Sequence, residues 1–292
     1  MLPSEVAITD NAVDRAERLL LPTGRCFKEE QRVFIKDLHT VDLQAVPGSG
    51  KTTALIGKLL ALSSSLPFGD GSGVLVLSHT NNAVSNFVRV LQPHCPGLFA
   101  YPNFVGTIQS FTDHFLAVPC YMARYGKAPY RIDDDAYDDR VYEPGASKGF
   151  LSKKGYERRA IVYESVLNRD GRLVYGAFDD DFPLNDPDKG AYKALLGMKT
   201  GLRQTGVLRF LEAYVLAFEY LRKHPAIKRI MRARFPFVFV DEMQDMDRHQ
   251  YELLEALFFD NGDARNVVYP KDWGQESGHI LGWRSSRRHL AG

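Results

Sequence analysis

The sequence predicts an α/β fold with a parallel central sheet and an inserted, mostly helical subdomain. Short apolar runs alternate with segments of helical periodicity, and the runs that begin at Val74 and Phe235 are almost continuously apolar. Such runs are typical of parallel strands that helices cover on both faces. Between Pro119 and Thr205 the alternation stops, and Tyr, Asp, Lys, Gly and Pro become frequent. This interval is the predicted insertion.

Composition excludes several classes of protein. The 292 residues, 45 % hydrophobic and 25 % charged, are typical of a soluble globular chain with one large domain or a domain with an insertion. A net charge of +1 gives no overall signature of nucleic-acid binding, so such binding must come from a local patch. Three scattered cysteines argue against disulfides or a zinc site and favour the cytoplasm. We expect no membrane span and no signal peptide.

The strongest motif is a glycine turn that follows the first predicted strand, Val41 to Val46, and opens a helix at Lys51. Glycines let backbone N–H groups touch phosphate oxygens, and the helix N-terminus adds partial positive charge. We expect Lys51 to contact the β and γ phosphates of a nucleotide and Thr52 to hold Mg²⁺. The alternative is an ordinary turn before a surface helix, and Ala45 replaces the first glycine of G-x-x-x-x-G-K-S/T. The predicted nucleotide-binding residues are Ala45, Gly48, Ser49, Gly50, Lys51, Thr52 and Thr53.

Two helices are predicted ahead of this loop. Residues 5 to 21 form a short amphipathic helix that ends before Pro22, and the next helix carries Gln31. A glutamine amide can donate and accept hydrogen bonds at once, so it can recognise adenine. Alone, Gln31 would be an ordinary polar helix residue. Its position shortly before Lys51 favours an adenine contact and ATP as the ligand.

Polar segments follow two further predicted strands. The strands that begin at Val74 and Phe104 each lead into a short polar segment and then a helix. Because the carboxyl ends of strands carry the ligands in open α/β sheets, we expect both segments on the side of the phosphate loop. A plain strand-to-helix turn is the alternative for each. The side chains concerned are His79, Thr80, Asn81, Thr107, Gln109 and Ser110.

The insertion contains one candidate contact for nucleic acid. It is a stretch of basic and aromatic side chains, which suits a phosphate backbone. The alternative interpretation is a solvated face. A triplet at Asp179 to Asp181 is interpreted as a surface loop, since glycine-spaced metal ligands are missing. A buried helix is predicted after the insertion, from Gly206 to Lys223. The residues of the basic–aromatic stretch are Lys153, Lys154, Tyr156, Arg158 and Arg159.

A second strong motif closes the apolar run that begins at Phe235, where Asp241 and Glu242 follow the last apolar residue. At a strand tip, Asp241 can orient the Mg²⁺ held by Thr52. Glu242 can accept the proton of the water that attacks the γ phosphate. An Asp-Glu pair after a strand is common by itself. The upstream phosphate loop and the downstream Gln244 favour the catalytic interpretation.

In their order along the chain, these segments resemble the motifs of the UvrD/Rep/PcrA family of superfamily 1 DNA helicases, over about residues 23 to 269. Details also resemble UvrD-like helicases that accompany OLD-family nucleases in defence systems. The matching segments are Gln31 (adenine glutamine), Gly48 to Thr52 (phosphate loop), Ser78 to Ala83 (T-F-T-N-x-A), Gly106 to Phe111 (G-T-F-H-S-F) and Asp241 to Asp245 (D-E-F-Q-D).

The resemblance implies a RecA-like P-loop NTPase domain that uses ATP and Mg²⁺ for 3′-to-5′ translocation on single-stranded DNA, with 3′-tailed duplexes as substrates. It implies Lys51, Glu242 and Gln244 as catalytic residues, Gln244 being the link between the γ phosphate and the DNA. The polar segments after Ser78 and Gly106 would contact the DNA strand. DNA repair or phage defence is the implied process, and an OLD-family nuclease the implied partner.

Two positions of the DNA segments depart from the family pattern. The family places an aromatic residue where His79 stands and a histidine where Gln109 stands. Imidazole can still stack on a base.

The end of the chain also departs from the pattern. A motif similar to G-D-x-x-Q-A/S-I is expected after the strand at Asn266 to Tyr269, and it is absent. Translation one nucleotide later would permit Ile-Gln-Arg-Ile-Gly-Asp-Arg-Asn-Gln-Ala-Ile-Phe, which contains the motif. We therefore hypothesise a frameshift near Tyr269, which would leave an incomplete motor without its second RecA-like domain. The in-frame alternative treats Asp272 and Gln275 as a divergent motif, with Gly282 to Arg284 similar to the family's G-W-R.

The expected organisation is an N-terminal helix (1–22), a RecA-like domain in two parts (23–118 and 206–269), a 1B-like subdomain (119–205) and an aberrant tail (270–292). Two other functions stay open. One is a truncated ATP-binding module that acts through a partner nuclease or helicase without unwinding. The other is an unrelated phosphate-loop kinase, which has no reason to carry the Thr80-Asn81 and Gly106-Thr107 segments.

Overall fold

The computed structural model describes residues 6–39, 41–45, 50–142, 165–168, 170–175, 186–258, 266–272 and 284–286. The chain divides into two compact units. The first unit combines Met1–Ile108 with Ile227–Gly292, and the second unit is Gln109–Ala226. The predicted insertion, residues 119–205, lies within the second unit.

Helices and strands alternate in the first unit, and helices dominate the second. Of the helices described, none combines the length and the apolar character needed to cross a membrane. The helices are α1 (Asp10–Leu20), α2 (Glu29–Lys36), α3 (Lys51–Leu62), α4 (Asn81–Leu91), α5 (Ile108–Thr112), α6 (Val118–Tyr125), α7 (Asp134–Tyr142), α8 (Gly190–Thr205), α9 (Phe210–Lys223), α10 (Ala226–Arg234) and α11 (Arg248–Phe258). The strands are β1 (Val41–Ala45), β2 (Val74–Ser78), β3 (Phe104–Thr107), β4 (Arg131–Ile132), β5 (Ser165–Leu167), β6 (Leu173–Tyr175), β7 (Val207–Leu208), β8 (Phe237–Val240), β9 (Asn266–Asp272) and β10 (Arg284–Ser286).

A six-stranded sheet forms the centre of the first unit, in the order β10-β1-β9-β8-β2-β3. All neighbours pair in parallel except β10, which runs antiparallel to β1 at the edge. The register places Leu75 of β2 between Phe104 of β3 and Val238 of β8. Every residue of β2 and β8 is buried, as the apolar runs predicted. The predicted α/β fold with a parallel central sheet is confirmed.

Helices α1, α2 and α3 supply much of the core of this unit. Val13, Ile35 and Leu59, one from each helix, are fully buried in a single cluster with the sheet. Arg32 of α2 also binds α1 through Asp14, at 2.6 Å between Nη2 and Oδ1. The predicted amphipathic helix of residues 5 to 21 is α1, and it is an integral part of the first unit.

The helix predicted from Gly206 to Lys223 starts later, so this prediction was wrong at its N-terminus. Gly206 instead ends α8 in the left-handed region at φ +89°. Val207 and Leu208 then form β7, which pairs in parallel with β4. A Cβ at position 206 would lie 2.6 Å from the backbone nitrogen of Tyr130, so only glycine allows the two segments to approach. Helix α9 begins at Phe210. The basic–aromatic stretch at 153–159 and the triplet at 179–181 lie outside the described residues.

Candidate functional site

The carboxyl ends of four parallel strands bring the predicted site residues to one edge of the sheet in the first unit. Strands β1, β2, β3 and β8 end at Ala45, Ser78, Thr107 and Val240. The backbone N–H of Asp241 donates to the carbonyl oxygen of Leu77 at 2.8 Å, which attaches the end of β8 to β2. Parallel pairing therefore places the phosphate-loop helix, the acidic pair, the polar segment after β2 and Thr107 along the same edge.

The phosphate-loop helix α3 begins at Lys51, and Gly50 caps it with φ +85° in the left-handed region. Lys51, Thr52 and Thr53 form the first turn and are partly buried. The backbone N–H groups of a first helical turn have no carbonyl partner within the helix, and the positive end of the helix dipole lies there, so such a turn attracts an anion. The side chain of Ala45, together with Gly48 and Ser49, lies outside the described residues.

Gln31 lies directly against the start of this helix. Its side chain is largely buried, with 8 % exposed, and a Cβ built on Gly50 would lie 3.1 Å from its Nε2. Its Oε1 accepts a hydrogen bond from the backbone N–H of Lys28 at 2.9 Å. The left-handed backbone favours glycine at position 50, and a side chain there would also crowd the neighbouring amide. Gln31, the predicted adenine residue, and the start of the phosphate-loop helix are thus brought together.

Asp241 and Lys51 interact electrostatically across the site. The pKa of Asp241 is raised from 3.8 to about 6, with burial as the largest cause and the charge of Glu242 as the next, while the charge of Lys51 opposes the shift. Burial also lowers the pKa of Lys51, and Asp241 opposes that shift. Asp241 is only 5 % exposed, so its negative charge is poorly compensated. A cation at this position would relieve that cost.

The residues present fit Mg²⁺. Thr52 offers a hydroxyl in the first turn of α3, and Asp241 offers a buried carboxylate whose charge Lys51 compensates only in part. Oxygen donors of this kind are the ligands that Mg²⁺ prefers, with phosphate and water completing the shell. These two side chains would hold the ion.

Glu242 has an unusual backbone. With φ +57° and ψ +40°, it is the non-glycine residue with positive φ among those described. This conformation costs about 1–2 kcal/mol for an L-residue, and such strain concentrates at functional sites. The carbonyl oxygen of Glu242 then accepts from the N–H of Asp245 at 3.0 Å and starts a 3₁₀ turn, Met243–Asp245. Gln244 lies in this turn, and its side chain is outside the described residues.

The polar segment after β2 has two distinct parts. Thr80 caps α4, its Oγ1 accepting from the N–H of Ala83 at 3.2 Å, and Asn81 is exposed in the first turn. His79 is partly buried, and its Nδ1 has no hydrogen-bond partner in the described part of the chain. The buried Oγ of Ser78 likewise has no hydrogen-bond partner among the described residues. This segment therefore combines a structural cap with polar atoms that a ligand can satisfy.

The segment after β3 crosses from the first unit into the second. Thr107 ends β3 in the first unit, whereas Gln109 and Ser110 belong to the second. Gln109 Nε2 donates to Asp113 Oδ1 at 2.8 Å, and Ser110 is exposed. Burial raises the pKa of Asp113 to about 6, although the Gln109 bond lowers it. A π-helical turn, Asp113–Ala117, follows, and such turns are frequent at functional sites.

Three features of the site were missed from the sequence. The first is Asp113, which no motif distinguishes. The second is the left-handed backbone of Glu242, which glutamate disfavours. The third is Lys58, which sits in an apolar helix and is fully buried. Only its spacing within α3 carried a signal, because Leu55, Leu59 and Leu62 predict a buried face next to it.

Comparison with known proteins assigns the family. The model of the UvrD/REP helicase N-terminal domain matches residues 27–287. DNA helicase II of Haemophilus influenzae is 21 % identical over 244 residues, which are 82 % of this chain and 32 % of that protein. The chain thus spans about a third of the length of this relative. The matched segment contains Gln31, Lys51 and the Asp241-Glu242 pair. The chain belongs to the UvrD/REP helicase family, and its match is to the N-terminal domain of that family.

Proposed function

We propose that this domain binds ATP with Mg²⁺ and hydrolyses it to drive movement along single-stranded DNA. The observation that carries the proposal is the electrostatic pairing of Lys51, at the start of α3, with the buried Asp241 at the end of β8. A cation and a poorly compensated carboxylate beside a helix N-terminus suit a metal-bound polyphosphate.

Each side chain then has a role set by its position. Lys51 and the first turn of α3 bind the β and γ phosphates, and Gln31 contacts adenine. Thr52 and Asp241 would hold Mg²⁺, which when bound neutralises charge on the phosphates. Glu242, next to the metal-binding carboxylate and partly exposed, accepts the proton of the attacking water.

The DNA contacts are proposed at the polar segments. The buried and unsatisfied Nδ1 of His79 supports a ligand there, and the amide of Gln109 is oriented by Asp113. The proposed contacts to a single strand, with 3′-to-5′ movement and 3′-tailed duplexes as substrates, are His79, Thr80, Asn81, Thr107, Gln109 and Ser110. Gln244 links this surface to the γ phosphate.

Movement needs a second motor domain to close the nucleotide site. An arginine supplied in this way is typically worth about 10³- to 10⁵-fold in rate. A nuclease partner of the OLD family and a role in repair or defence stay predictions.

Glu242→Gln tests the catalytic assignment. We expect the Kd for ATP with Mg²⁺ to stay within about twofold while hydrolysis, measured by single-turnover release of phosphate, falls about 10²- to 10⁴-fold. Glu252→Gln is the control, because Glu252 pairs with Arg248 on the surface of α11. Unchanged hydrolysis in Glu242→Gln, with the control active, would remove Glu242 from the mechanism.

A further inference from the structure

Lys58 connects the phosphate-loop helix to the helix that carries Gln31. It lies about two turns beyond Lys51 on α3 and is 1 % exposed. Its Nζ donates to the carbonyl oxygen of Phe34 at 3.0 Å and also to the carbonyl oxygen of Asp37. Both carbonyls belong to the C-terminal end of α2, where backbone oxygens lack partners within the helix. A side chain of α3 thus caps α2.

The Lys58 ammonium also lies over an aromatic ring. The ring centroid of Phe34 is 4.4 Å from Nζ. Burial lowers the pKa of Lys58 to about 7, and the charge of Asp37 opposes the shift. The amine supplies at least two N–H donors in either protonation state, which is the number that the two carbonyls require. Loss of the amine would remove one hydrogen bond from each of these two carbonyl oxygens.

The other end of α2 contacts the beginning of α3. Gln31 Nε2 lies against Gly50, and Gln31 Oε1 is held by the N–H of Lys28. This bond fixes which end of the amide donates and which accepts. The two helices therefore touch at the Gln31–Gly50 contact and again at Lys58.

Close packing between these two points leaves little room for sliding. A Cβ at Gly57 would lie 2.8 Å from Cζ of Phe27 and 3.2 Å from Cδ1 of Ile35. Glycine at position 57 thus lets two parts of the chain approach α3, namely the segment that leads into α2 and α2 itself. The position of Gln31 relative to the phosphate loop depends on this approach and on the Lys58 bonds.

We propose that Lys58 is a positioning residue for base recognition: it holds α2 against α3 so that Gln31 discriminates adenine from guanine. This inference rests on the proposed ATP function. Adenine presents an acceptor beside an amino donor, whereas guanine presents two acceptors at the equivalent edge. An amide of fixed orientation and position matches only the pattern of adenine. A displaced α2 would lose that match without losing the phosphate contacts of Lys51.

Lys58→Met is the direct test, since it keeps the apolar stem and removes the donors. We expect the Kd for ATP with Mg²⁺ to rise about tenfold while the Kd for GTP stays unchanged, so that the preference for ATP falls about tenfold. Lys199→Met is the matched control, because Lys199 is also fully buried, over the ring of Tyr137, in the second unit. It should leave the ratio of the two Kd values unchanged.

A double-mutant cycle separates positioning from general destabilisation. Gln31→Ala should lower the ATP preference by itself, and adding Lys58→Met should lower it no further, because both act through one contact. If Lys58→Met does not fold, Lys58→Gln, which retains one amide donor group, is measured in its place with the same expected direction.

The outcomes distinguish this inference from the proposed function. A wild-type chain that binds no ATP contradicts the proposed function. A wild-type chain that binds ATP and GTP equally, or a folded Lys58 variant that keeps the full ATP preference, overturns the positioning role alone. Additive losses in the double variant would overturn it as well.

Discussion

Lys58 in the first unit and Lys199 in the second are both buried lysines over aromatic rings, at 4.4 Å from the Phe34 centroid and 4.9 Å from the Tyr137 centroid. Burial lowers the pKa of both, to about 7 for Lys58 and about 8 for Lys199. Lys58 donates to two backbone carbonyls. The Nζ of Lys199 has no hydrogen-bond partner within the described segments of the chain.

Charges surround Lys199 instead. Glu212 of α9 is fully buried, its Oε1 lying 3.6 Å from Nη2 of Arg203, and its Oε2 accepts from the N–H of Arg209 at 3.2 Å. Arg203 also donates to the carbonyl oxygen of Leu167 at 2.7 Å. The comparison teaches that a buried lysine has two uses here. In the first unit it bonds the end of α2 beside the proposed nucleotide site, and in the second it belongs to a buried cluster of charged side chains.

Removal of the central carboxylate should give the largest effect on stability. Glu212→Ala leaves buried cations without their counter-charge, which typically costs about 3–5 kcal/mol. We expect this loss in urea unfolding, with the Kd for ATP unchanged in the folded fraction. Glu252→Ala, at an exposed pair, should cost less than about 1 kcal/mol. A loss that small in Glu212→Ala would show that the cluster does not hold the second unit together.

Glu242 should give an effect of opposite sign in the first unit. Glu242→Gly removes the strain of the left-handed backbone, so the free energy of unfolding should rise by up to about 1 kcal/mol while hydrolysis is lost. Glu252→Gly, within α11, should instead lower the free energy of unfolding by about 1 kcal/mol. A lowered melting temperature in Glu242→Gly would contradict the idea that strain is stored at this residue.

Asp113 offers a pH-dependent test within the second unit. Its pKa rises from 3.8 to about 6 on folding, so the folded state holds the proton more tightly. Asp113 therefore costs almost no stability below about pH 4, and its cost builds up between pH 4 and 6 and is complete above pH 6. Asp113→Asn should stabilise the protein by about 1 kcal/mol at pH 7.5, after solvent screening, and by nothing at pH 4.

The matched control for Asp113 is an exposed aspartate, Asp139 of α7. Asp139→Asn should leave the melting temperature unchanged at both pH values. An equal gain from Asp113→Asn at pH 4 and pH 7.5 would show that the ionised carboxylate is not what destabilises the fold.

Much of the first unit could be predicted because its signals are local. Continuous apolar runs revealed β2 and β8, and the Lys-Thr and Asp-Glu pairs marked the ends of β1 and β8. The start of α9 could not be predicted, because Gly206 is followed by apolar residues that suit a helix as well as a strand. The role of Gly206 depends on the close approach of Tyr130, which lies far away in sequence.

The supporting residues of the site depend on contacts between elements, which spacing alone does not reveal. Lys58 resembles an exposed lysine in the sequence, and only the carbonyls of α2 explain its burial. Asp113 and Gln109 are one helical turn apart, so their hydrogen bond was within reach of sequence reasoning. The raised pKa of Asp113 could not be predicted from the sequence, because it results from burial.

The frameshift hypothesis for the tail stays a prediction. Strand β9 continues to Asp272, β10 pairs with β1, and the family match reaches residue 287. Residues 273–283 lie outside the described part of the chain. The nucleotide sequence across the codon of Tyr269 should encode the missing motif in the next frame. Its absence there would favour the in-frame alternative.

Binding of ATP to Lys51→Ala tests the central claim most directly. With Mg²⁺ present, we expect the Kd for ATP to rise about 10- to 100-fold, because a charged contact to phosphate is lost. Lys36→Ala is the control, since Lys36 pairs with Asp10 on the surface, and its Kd should equal that of the wild type. A folded Lys51→Ala variant that binds ATP as tightly as the wild type would contradict the assignment of this site.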